Sequence, residues 1–163
     1  MPALKKAVAE KMRQYIEQGG FLFAMCTATE TIDLALASPG VDIAAAFADG
    51  TAVDEDADVR LDWSGTFACT GARLEPHPAV AAFSDLDGHQ VNVPGRRQPL
   101  GAFKLFNFSA KIDPVPSMLV QNHRAVIPDF YGLTTSFVRA RLKPAVTVLG
   151  EEISGRDVIL IAG

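Results

Sequence analysis

Cys26 closes an all-apolar run, "FLFAM" at residues 21–25, and a helix-like pattern follows it at once. A thiol at a strand-to-helix turn is held at the end of a sheet and faces the crevice where α/β folds bind ligands. The helix N-terminus beside it offers unpaired backbone N–H groups, and those near Thr27 are placed to hold an oxyanion. That is the chemistry of covalent attack on a carbonyl, which needs a base. Of three histidines, His123 in "VQNHRA" follows Gln121 and Asn122 on a polar loop and is the general base expected if a histidine faces Cys26, with Gln121 and Asn122 as ligand contacts. His89 in "DLDGHQ" neighbours Asp85 and Asp87, which could orient its imidazole or, with it, ligate a metal, and Asp87 and His89 are also candidate ligand contacts. The spacing is no metal signature, and no metal or cofactor is expected. His77, between Pro76 and Pro78, reads as an exposed turn residue, and Cys69, in a strand-like apolar run, as core. Arg96 and Arg97 could hold a carboxylate or phosphate, but adjacent side chains point apart.

The elements that must position these groups follow from periodicity. Leu4, Ala7, Val8, Met12, Tyr15 and Ile16 recur at helical intervals, and Gly19 and Gly20 end that helix. An apolar run without alternation suits a central strand covered on both faces, as in a parallel sheet. Thr27 and Glu30 stand three apart ahead of Ile32, Leu34, Ala35 and Leu36, the spacing of a reciprocal capping box, and Pro39 and Gly40 close the second helix. Helix, Gly-Gly, buried strand, cysteine and capped helix together predict an α/β fold. "ADGTAVDEDADVRLDWSG" reads as a solvated loop, because its carboxylates lack the central glycine and distant glutamate of a calcium loop. "FACTGARL", "GAFKLFNFSA", "AVTVLGEE" and "DVILIAG" read as short strands of a β-rich second half or insertion, separated by long ordered loops.

A chain of 163 residues, 48% hydrophobic, suits one domain over 1–163 with a single sizeable core. The net charge of −4 and pI near 5.3 come from mixed charges, so no nucleic-acid partner is expected. No apolar run reaches the roughly 18 residues of a membrane span, and the first residues lack a secretory core. Two cysteines without paired spacing fit a reducing, cytoplasmic setting.

"FLFAMCTATE" resembles the nucleophile elbow of the class I glutamine amidotransferase-like superfamily, and "SDLDGHQVNVPGRRQPLG" and "DPVPSMLVQNH" resemble segments of bacterial members commonly labelled asparagine synthetase B. The resemblance implies a flavodoxin-like parallel sheet with a strand-Cys-helix elbow, in which Cys26 attacks the amide of glutamine. Asparagine synthesis is not expected, since Pro2 follows Met1 and no Ser-Gly-Gly-x-Asp loop is present. Ala24 and Ala28 stand where the superfamily usually has glycine, and no histidine here is followed by the His-x-Glu pattern of its triad. Relative to that fold the chain reads as a partial domain, which leaves room for a homo-oligomer or a missing segment. Two functions remain: amide hydrolysis by Cys26, or a non-catalytic α/β module that binds a small ligand or another protein.

Overall fold

A computed structural model describes residues 3–75, 83–86, 102–105, 126–127, 136–153 and 157–162. Helix α1, Ala3–Glu17, ends where its glycines require. Gly19 sits at φ 92, its N–H donates to the Ile16 carbonyl at 2.8 Å, and the Gly20 N–H reaches back to the Tyr15 carbonyl at 2.9 Å. This pair of bonds is a Schellman closure, and the left-handed residue in it favours glycine. Helix α2, Ala28–Ala37, packs against α1, and the Lys6 ammonium bridges the two by donating to the Ser38 carbonyl at 2.5 Å and to the Val41 carbonyl. A cation there meets the Ser38 carbonyl at the C-cap of α2 and the Val41 carbonyl in the turn just beyond it.

The apolar stripe of α1 faces outward. Only Ala9 is buried, while Leu4, Val8, Met12 and Tyr15 are exposed. By contrast the buried stripe of α2 mixes charge with hydrocarbon: Glu30, Asp33, Leu34 and Ala37 recur at helical spacing and all are buried. Two short helices follow, α3 at Ala46–Asp49, which runs into the stretch read as loop, and α4 at Ala57–Arg60, which with a 3₁₀ turn at Trp63–Gly65 lies within it. Its carboxylates accept backbone N–H groups both locally and from residues 12 and 16 positions away, as Asp58 does from Leu74 at 2.7 Å. Asp62 accepts the Ser64 N–H at 2.9 Å, and Asp54 accepts the Asp42 N–H at 3.0 Å and pairs with Arg60 at 2.8 Å.

Strands β1 (Phe103–Leu105), β2 (Val126–Ile127), β3 (Phe137–Val138), β4 (Thr147–Glu152) and β5 (Asp157–Ala162) form one sheet in the order β2-β1-β4-β5-β3. Every pairing is antiparallel. This corrects the flavodoxin-like parallel sheet expected from sequence. The reason lies in the connections: β4 and β5 are four residues apart, and so short a link permits only a hairpin, whereas parallel neighbours need a crossover of a dozen residues or more. Register shifts around Gly150 mark an irregularity in that hairpin, with Val148 opposite Ile161 and Glu151 opposite Val158.

The run at residues 21–25 is the second correction. It joins no strand, and Phe21, Leu22, Phe23 and Met25 are exposed rather than covered on both faces. The core lies elsewhere, where Leu34 of α2 meets Cys69, Ala72, Leu86, Phe137 and Val158. Trp63, Leu74, Leu142, Val148 and Ile161 pack around them. Two isolated antiparallel bridges, Cys69 to Leu142 and Leu74 to Ser84, tie the stretch read as "FACTGARL" to this core.

Candidate functional site

Cys26 occupies a strained turn. Its φ of 57° makes it the one non-glycine residue with positive φ among the described residues. Thr27 follows at φ −64°, ψ −18°, and the Ala28 N–H closes the turn on the Met25 carbonyl at 3.2 Å. Positive φ followed by a right-handed residue is the sign pattern of a type II′ turn, which normally places glycine first. The thiol side chain is exposed, directly ahead of α2.

This turn also settles the capping box. An N-cap residue needs extended backbone so that its side chain can reach forward, and Thr27 is right-handed and makes no capping bond. Thr29 takes a local bond instead, its hydroxyl donating to the Cys26 carbonyl at 2.7 Å, while Glu30 turns inward and accepts the Ser84 hydroxyl at 2.5 Å. The Ala28 and Thr29 N–H groups are spent on the Met25 and Cys26 carbonyls. The Thr27 N–H has no intramolecular partner among the described residues, so one backbone donor remains open immediately after the thiol.

Beside the turn lies an apolar cavity of about 770 Å³. Val8 and Met12 of α1, Leu22, Phe23 and Met25 of the preceding segment, and Phe47 and Phe83 line it. Met25, directly before Cys26, and Ala28, two residues after it, both contribute to the wall, so the Cys26 turn adjoins the cavity. The size falls in the range of small-molecule pockets, roughly 300–1,000 Å³. Lys5, Asp49 and Glu75 are its charged lining residues.

Of the residues chosen from sequence, the structure places Cys26 and Thr27 together at this turn. Asp87, His89, Gln121, Asn122 and His123 lie outside the described residues, as do His77, Arg96 and Arg97. Asp85, a neighbour offered to orient His89, is engaged otherwise: its carboxylate accepts the Arg73 N–H at 2.7 Å and pairs with Arg141. Among the described residues no group of three or more potential ligands could hold a metal ion, and no helix is long and apolar enough to cross a membrane.

Sequence reasoning missed the buried carboxylates of α2. Asp33 is 1% exposed and accepts three backbone N–H groups, from Phe67 at 2.7 Å, Ala68 at 2.9 Å and Cys69 at 2.7 Å. The available signal was position: Glu30 and Asp33 share a helical face with Leu34 and Ala37, which only buried carboxylates with partners can do.

Cys69 behaves as core, as its sequence context suggests, and its pH response follows. Burial, reinforced by the charge of Asp33, pushes its thiol well above the ordinary value of 9.0. Above about pH 9 the unfolded chain releases this proton and the folded chain keeps it, so the unfolded state binds fewer protons and stability falls as pH rises. We expect wild-type stability to drop by up to about 1.4 kcal/mol more per pH unit than that of Cys69→Ala over roughly pH 9 to 10.5. Urea unfolding of both proteins across that window measures it, and parallel slopes would refute it.

No protein-family model, curated protein or solved structure matches the chain.

Proposed function

We propose that this chain is a class I glutamine amidotransferase-like protein in which Cys26 attacks a carboxamide carbon. The observation that carries the reading is the Cys26 turn: an exposed thiol at positive φ, at the start of α2, with the Thr27 N–H open beside it. In a nucleophile elbow the residue after the nucleophile supplies an oxyanion N–H, and backbone strain at the nucleophile is part of the device. Because the sheet is antiparallel, the reading rests on this turn and on the resemblance of "FLFAMCTATE", and not on a flavodoxin-like sheet.

The chemistry runs in two halves. The thiolate sulfur bonds to the carboxamide carbon, the oxyanion meets the Thr27 N–H, and the C–N bond breaks as the departing nitrogen takes up a proton to leave as ammonia. Water then attacks the thioester carbon, releasing a carboxylate and restoring the thiol. His123 is the residue proposed to move those protons. Glutamine-dependent ammonia release tests the scheme. Cys26→Ser should lower it at least about 1,000-fold, the scale on which loss of a nucleophile acts. Equal release by the two proteins would sink the proposal.

The apolar cavity favours a second reading, a module that binds an apolar ligand beside Cys26 without chemistry. Under it the wild type and Cys26→Ser bind an environment-sensitive apolar dye equally and neither releases ammonia.

A further inference from the structure

Residues 21–25 have the surface of a strand and none of its partners. Exposure alternates along them, with Phe21 at 81%, Leu22 at 37%, Phe23 at 66%, Ala24 half-buried and Met25 at 66%. That is the period of an extended chain with Leu22 and Ala24 the more covered and Phe21, Phe23 and Met25 the more exposed, Phe23 and Met25 also lining the cavity. No backbone N–H from Phe21 through Met25, and no carbonyl from Phe21 through Ala24, has an intramolecular hydrogen bond among the described residues. Such a segment is a template for pairing with another chain.

We propose that a second copy of this chain occupies it, the two 21–25 segments pairing antiparallel about Phe23. Two observations select this occupant. First, the pairing is self-complementary, as a two-fold interface requires: with Phe23 opposite Phe23, Phe21 of each copy lies across from Met25 of the other, and the outward side chains of both fall on one face. Second, the surrounding apolar surface is of the size a dimer needs. Phe23, Phe47 and Phe83 line the same cavity as Val8 and Met12, which continue into Leu4 and Tyr15 along α1. With Phe21 and Tyr15, five aromatic side chains stand about half exposed or more. At 150–250 Å² each they present on the order of 600 Å², before Leu4, Val8, Met12 and Met25 are counted. A monomer's largest patch is about 300–600 Å², and a standard interface takes about 800 Å² from each partner. The Cys26 thiol takes no part in the pairing, so the proposal stands apart from the proposed chemistry.

Sedimentation equilibrium and oxidative trapping of the full chain test it. The wild type should be a dimer at micromolar concentration, and Phe23→Lys should weaken dimerisation at least about 10-fold, because a lysine on an unpaired edge blocks strand addition. In a Cys26→Ser background, Phe23→Cys should trap as a covalent dimer under mild oxidation, since paired Cα atoms 4.5–5.5 Å apart lie within disulfide reach. Phe21→Cys alone should not, whereas Phe21→Cys mixed with Met25→Cys should trap as the mixed pair. A monomeric wild type, whether or not some other protein's strand binds there, overturns the proposal. So do open-ended aggregates in place of a dimer, or equal trapping at positions 21 and 23. If Phe23→Lys is misfolded by circular dichroism, the trapping series alone decides.

Discussion

Replacing Asp33 with alanine should cost about 3–5 kcal/mol of stability, the largest effect expected from any one side chain here. The carboxylate lies on α2 and the three N–H groups it accepts lie at residues 67–69, so the bonds join segments more than 30 residues apart. Both oxygens are used, one by Phe67 and the other by Ala68 and Cys69. Truncation therefore removes three charge-assisted bonds and leaves three donors beside the buried Cys69 without acceptors. Unmet buried donors cost more than the bonds contribute, and the loss is a large share of the roughly 5–15 kcal/mol that holds a domain together. Asp33→Asn should fall between, at about 2–3 kcal/mol, because its amide keeps one acceptor oxygen and turns a donor toward an N–H. Urea unfolding separates the three proteins. An alanine variant within about 1 kcal/mol of the wild type would show that the 67–69 turn holds itself.

The same helix shows how far the sequence could be read. Its span was legible from Leu34, Ala35 and the Pro39-Gly40 stop, as α1 was from its apolar spacing and Gly19. Which face is buried was not. Apolar periodicity counts Ile32 and Leu36, which are only half-buried, and passes over Glu30 and Asp33, whose burial depends on Ser84 and residues 67–69, distant in the chain. In α1 the stripe was read correctly as a stripe but faces solvent, because periodicity identifies a face without naming what covers it.

Residues 21–25 fail for a related reason. A continuous apolar run is what a doubly covered strand looks like, yet a strand exists only where another supplies its ladder, and no described strand here does. The capping box fails locally. Thr27 and Glu30 have the right spacing, but positive φ at Cys26 delivers Thr27 in a right-handed conformation from which its hydroxyl cannot cap. The turn that defeats the box is the turn that presents the thiol. The turn at Cys26 and Thr27 was thus legible, and the loop residues chosen with them as candidates stand outside the described residues.

Substitution at Cys26 should order stability as glycine at or above cysteine, cysteine near serine, and valine lowest. At φ 57° any side chain with a Cβ carries strain on the order of 1–2 kcal/mol, and a β-branched one more. Cys26→Gly removes the strain but loosens the unfolded chain, so the net gain is about 1 kcal/mol or less. Serine keeps the Cβ and should lie within about 0.5 kcal/mol of the wild type. Valine should lose about 2 kcal/mol, since its branch meets the backbone in this conformation. Thermal or urea unfolding of the four proteins reads the order, and valine as stable as glycine would mean that the turn does not hold residue 26 at positive φ. Set beside ammonia release, the series separates geometry from chemistry. If Cys26 is the nucleophile, Cys26→Ser loses the reaction at unchanged stability, and Cys26→Gly loses it while becoming the more stable protein. A side chain whose removal costs activity and adds stability is one the fold holds under strain for its reactivity. A glycine variant that gains stability with no activity to lose would leave the turn as a strained bend beside the apolar cavity, as the binding reading requires.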